Sequence, residues 1–145
     1  MKVLDLDKTL KHYTDVLVLN AVCRTEDGRV CLKGYDEFDH HSLVLKQAEE
    51  AGFDYAAFKV DSDETLLLLE KKVEAVGYKV THIPANSDQP GFGRRISFMI
   101  CTGHRLELYA EVEQAEQHPE IVNPNIWTTP PRGMRCQRFD HMLLY

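Results

Sequence analysis

The sequence has no Cys-x-x-Cys pair, no apolar run near bilayer length and no surplus of positive charge. Each absence excludes something. Without paired cysteines among Cys23, Cys31, Cys101 and Cys136, a structural zinc site is not expected. Cys23, Cys31 and Cys101 stand in β-rich apolar stretches and read as buried, reduced thiols. No stretch approaches the ~20 apolar residues that cross a bilayer. The start Met1-Lys2-Val3-Leu4-Asp5 meets an acid too early for a signal peptide, so the expected compartment is the cytoplasm. A net charge of −6 argues against nucleic acid or an anionic membrane as partner.

What is present is an ordinary globular balance: 145 residues, 43% apolar and 28% charged. That length can bury a real core. Leu6, Leu10, Tyr13, Val16 and Leu17 recur at helical steps, so a helix is expected over 5–19, with Asp5 or Asp7 as its cap. Strands are expected over 21–25, 30–35 and 42–46, the first two joined by a turn at Asp27-Gly28. A second cycle follows: a strand at 55–60, a helix from Ser62 to about Val76 with Gly77 as its stop, then strands at 78–83, 95–101 and 105–111.

The two cycles superpose. "GRVCLKGYDEFDHHSLVLKQAEE" lies over "GRRISFMICTGHRLELYAEVE": a strand, a polar turn containing His, then an alternating strand. Both helices carry a Thr-Leu pair, Thr9-Leu10 and Thr65-Leu66. An internal duplication follows. The second copy has a strand ahead of its helix. The first copy begins almost at the helix, so its first strand is expected to be missing and its sheet edge open. After acidic residues 111–120, Asn123-Pro124, Pro130-Pro131 and Gly133 mark an irregular linker. The chain then enters a new apolar run, "RFDHMLLY", that reads as a strand and is a candidate to fill that open edge.

The stretches "VLDLDKTLKHY", "GRVCLKGYDEFDHHSLVLKQAEEAG", "GRRISFMICTGHRLELYAE" and "NPNIWTTPPRGMRCQRFDHMLLY" resemble the amino-terminal half of the extradiol ring-cleavage dioxygenases, within the vicinal-oxygen-chelate superfamily. They are most similar to the members that cleave catechol at the 2,3 bond. The resemblance implies an α+β fold of paired βαβββ modules forming an open barrel-like sheet. It divides the chain into a first module, 1–52, a second, 53–113, a linker, 114–137, and the opening strand of a catalytic domain, 138–145. Cys101-Thr102-Gly103 stands where the family has Pro-Ser-Gly, and Val18 where a helix-ending glycine is usual.

Function follows from the same resemblance. His141, after Phe139-Asp140, matches the first iron ligand of a facial triad of two His and one carboxylate, its partners lying beyond Tyr145. Such a triad leaves one face of Fe(II) open for a bidentate catecholate and O₂. The implied reaction opens catechol or an alkylcatechol to 2-hydroxymuconate semialdehyde in aromatic-compound degradation, in a homo-oligomer, a tetramer by resemblance. A chain with one ligand is expected to be inactive alone, without bound Fe(II). On the residues alone, a lone strand histidine is more often a packed or surface group.

Two rival sites remain. Glu107, near His104, lies on the strand that supplies the carboxylate in metal-binding modules of this fold, which would suit a glyoxalase-like metalloenzyme; the simpler reading is a salt-bridged Glu107 in a metal-free module. His40-His41 follows Asp36, Glu37 and Asp39 and could catch a cation, but reads as an exposed turn. Lys71-Lys72 is a solvated helix face. Phe53, Tyr55, Phe58, Trp127 and Phe139 are expected to pack in the core or at domain junctions. The remaining alternative is a stand-alone binding or resistance module that holds a small ligand without metal.

Overall fold

The computed structural model describes residues 1–116, 133–134 and 136–143. They fall into two compact units: 1–52 with 114–116, 133–134 and 136–141, and 53–113 with 142–143.

In the first unit, β1 (Lys2–Val3) leads into α1 (Leu6–Asp15), followed by β2 (Asn20–Arg24), β3 (Val30–Lys33) and β4 (Leu43–Gln47). The sheet order is β1-β4-β3-β2. β1 runs parallel to β4, and the other pairs are antiparallel. The second unit repeats the plan with β5 (Ala56–Lys59), α2 (Asp63–Ala75), β6 (Thr81–Ile83), β7 (Arg95–Met99) and β8 (Arg105–Tyr109), in the order β5-β8-β7-β6. The βαβββ order thus occurs twice, as the duplication predicts.

Local chemistry explains the elements. The Asp5 side chain accepts from Lys8 N at 2.9 Å, and Ser62 Oγ accepts from Thr65 N at 3.1 Å, capping the two helices. Leu6, Leu10 and Tyr13 of α1 pack with Val3, Val30, Leu32, Leu43 and Leu45. Burial of these side chains supplies most of the helix's stability, since ten residues are too few to hold a helix alone. The helix stops at Asp15, not Leu19, because Val18 turns the chain at φ +58° and Leu19 N bonds back to Tyr13 O at 3.0 Å. Gly77, at φ +93°, follows α2 as expected.

Several expectations are corrected. The first strand of the first module is present. Two residues suffice because Lys2 exchanges backbone bonds with Gly52 (2.8 and 3.0 Å), while Met1 O and Val3 O accept from Lys46 N and Ala48 N at 2.9 Å. The edge of β4 is therefore filled by β1. The described part of the terminal run, 138–143, lies in no strand and does not fill it. Cys101 is exposed, because β7 ends at Met99 and Cys101 sits in the turn beyond it. Phe58 is 53% exposed on an edge strand that has one neighbour in its sheet, and Phe139 is 49% exposed. Trp127 lies outside the described residues.

Candidate functional site

The His141 segment is built onto the first unit by main-chain bonds. Met134 N donates to Val16 O at 2.8 Å, and Cys136 N to Leu17 O at 2.9 Å, using carbonyls at the end of α1 that lack helical partners. Tyr35 N then donates to Cys136 O at 3.2 Å, and Asp36 N to Gln137 O at 2.8 Å. Arg138 pairs with Asp36, and Phe139 N donates to Glu37 Oε1 at 2.8 Å. Lys33, buried in β3, donates from Nζ to Glu37 O at 2.5 Å. Burial pulls its pKa down, against the opposing pull of Glu37.

Beyond Phe139 the chain is open. The His141 side chain is 78% exposed, and its Nδ1 lies 2.6 Å from Asp140 Oδ2. With Nδ1–H donating to that carboxylate, Nε2 keeps the lone pair a metal would use. Among the described residues no group of three or more His, Cys, Asp or Glu could hold a metal ion. Asp140 and His141 therefore belong to no such group among the described residues.

The rival carboxylate has a different environment. Glu107 is 1% exposed, and Arg95, fully buried, brings Nε to 3.0 Å from Glu107 Oε2. Asp88 pairs with the same guanidinium, which lies over the Phe92 ring at 5.7 Å. Arg105 approaches Glu107 Oε1 at 3.8 Å and Asp54 at 3.3 Å, over the Tyr55 ring. Desolvation raises the Glu107 pKa, while Arg95 and Arg105 pull against that rise. A carboxylate already matched by a guanidinium is poorly placed to ligate a metal. Nearby His104 is engaged by Thr102 Oγ1 at 2.9 Å and by the edge of Phe53.

The His40-His41 pair is not an exposed turn. His41 is 4% exposed, and the two Nδ1 atoms lie 2.8 Å apart with the rings edge to face. One ring donates and the other accepts, which uses up both nitrogens that face each other. Lys71 and Lys72 are exposed, as expected. The role of Glu37, which accepts from Gly34 N, Ser42 Oγ and Phe139 N, had no sequence signal beyond its place in an acidic turn.

By fold and by sequence the chain is similar to part of the extradiol ring-cleavage dioxygenases, with their vicinal-oxygen-chelate fold. Residues 53–113 match the family described as the catechol 2,3-dioxygenase-like N-terminal domain. Among curated proteins, the metapyrocatechase of Pseudomonas sp. strain CF600 is 40% identical over 146 residues, spanning 100% of this chain and 47% of that protein. A manganese-dependent 2,3-dihydroxybiphenyl 1,2-dioxygenase of Geobacillus genomosp. 3 is 26% identical over 95% of this chain and 44% of its own length. Among solved structures, the 2,3-dioxygenase LapB from Pseudomonas sp. KL28 superposes with a TM-score of 0.82 at 36% identity, covering 88% of this chain and 44% of that one. An extradiol ring-cleaving dioxygenase from B. fuscum gives 0.73 at 27%, covering 79% and 32%. The chain spans about half the length, or less, of the relatives it matches. No helix among the described residues is long and apolar enough to cross a membrane.

Proposed function

We propose that this chain acts as the amino-terminal part of a non-haem Fe(II) extradiol dioxygenase that opens catechol-type diols with O₂ to a 2-hydroxymuconate semialdehyde. The observation that carries the reading is the 40% identity to a metapyrocatechase over an aligned span that covers the whole chain, the His141 segment included. His141 is the ligand these residues contribute, with two further ligands supplied from outside them. Bound iron would gather the diol and O₂ and let electron density pass between them. This chain's own part is to present Nε2. Asp140 fixes the tautomer, and the bonds from 134 to 139 hold the main chain. The two modules are scaffold, the active protein is a cytoplasmic homo-oligomer, and residues 1–145 alone are inactive because one imidazole leaves most of the coordination sphere to water.

The test is anaerobic reconstitution of the complete expressed protein with Fe(II), followed by catechol and air. A yellow ring-opened product is expected. No product with any divalent metal would overturn the assignment; product with Mn(II) and none with Fe(II) would overturn the choice of metal. Product from residues 1–145 alone would overturn the inactivity.

A further inference from the structure

We infer that the turn 34–37 is a clamp that positions the His141 segment, and that Glu37 is its central positioning residue; this rests on His141 being an iron ligand. The contacts join residues 102 apart in sequence. Glu37 collects three donors on one carboxylate: Gly34 N from its own turn, Ser42 Oγ at 2.6 Å from the start of β4, and Phe139 N at 2.8 Å from the segment. The same side chain thus shapes the turn and grips the strap. Tyr35 N and Asp36 N add two backbone bonds to Cys136 and Gln137.

Gly34 makes the approach possible. A Cβ there would lie 2.3 Å from Gln137 O and 2.8 Å from the Arg138 Cα, inside any real contact distance. Backbone therefore lies against backbone at this point. Arg138, across from Asp36, closes the clamp from the outside. Held at 134, 136, 137 and 139, the chain reaches His141 two residues past its last anchor. That distance is short enough for the clamp to decide where Nε2 points and long enough that Glu37 touches no reacting atom. Its effect should appear in metal affinity, as for other groups that orient a ligand from behind.

The experiment measures Fe(II) affinity anaerobically in the complete protein by competition with a chelator, alongside deuterium exchange at the Tyr35 and Asp36 amides. Glu37→Ala should weaken iron binding by about tenfold and speed exchange at both amides. Glu37→Gln keeps a carbonyl acceptor for Phe139 N and should recover most of the affinity. Arg138→Ala, at an exposed side chain, should weaken binding by a smaller factor and decides the matter if Glu37→Ala does not fold. Folded variants with wild-type affinity, in a protein where His141→Ala strips the iron, would overturn the clamp. If His141→Ala leaves the iron content unchanged, it is the ligand assignment that fails.

Discussion

Arg95 and Glu107 face each other across neighbouring strands of the second unit, Nε to Oε2 at 3.0 Å, with neither more than 1% exposed. β7 and β8 place them on a diagonal two residues out of register, Arg95 opposite Tyr109 and Ser97 opposite Glu107. Each charge is buried on the strength of the other, so the pair holds the sheet's interior only while both are present.

Removing one partner should therefore be costly. Arg95→Leu strands the carboxylates of Glu107 and Asp88 and should destabilise the protein by about 3–5 kcal/mol, read from the urea midpoint at constant m-value. The double change Arg95→Leu with Glu107→Leu should recover a large part of that loss. A double variant as unstable as the single one would show that the pair is not the reason.

The raised Glu107 pKa sets a pH dependence. Its folded pKa lies above its unfolded one, so the fold binds this proton more tightly than the unfolded chain does. That contribution is fully present below the unfolded value, 4.5, and is lost as pH rises through the folded pKa. Glu107→Gln, permanently neutral, should gain on the wild type as pH climbs from 4.5 towards neutrality. Parallel stability curves for the two proteins would contradict this.

Val18 holds a left-handed conformation at φ +58°, where a β-branched side chain is strained. Val18→Gly should raise stability by about 1 kcal/mol, seen as a higher thermal midpoint. A lower midpoint would mean that the valine's packing outweighs its strain, since its Cγ2 borders Gly133.

The thiols should separate by reactivity. Cys101 is exposed in its turn, whereas Cys31 is fully buried and burial pushes its pKa well up. A thiol reagent at pH 8 should label Cys101 at once and Cys31 only after unfolding. Rapid labelling of Cys31 in the folded protein would contradict its placement in β3.

Much of the architecture was legible because it rests on local pattern. The caps at Asp5 and Ser62, the Asp27-Gly28 turn and the duplicated strand–turn–strand are each written within a few residues of where they act. β1 was not legible, since two residues carry no alternation and its existence depends on Gly52 and β4 meeting it. Nor was the burial of His41, which the polar composition of its turn does not signal. The site divided the same way. His141 is a candidate through the family resemblance, whereas the grip of Gly34 and Glu37 on 136–139 has no sequence signature, because nothing local ties residues a hundred positions apart.

The clamp also makes the first unit discontinuous in sequence: 1–52 groups with described residues of 114–141, and 53–113 lies between them along the chain. On the ribosome, where synthesis proceeds at about 5–20 residues per second, residues 53–113 are complete and contiguous before Cys136 exists. For several seconds Tyr35, Asp36 and Glu37 emerge with their strap not yet made. A synonymous-codon change that slows translation between 114 and 136 lengthens that window without touching the finished protein, and so acts on yield alone.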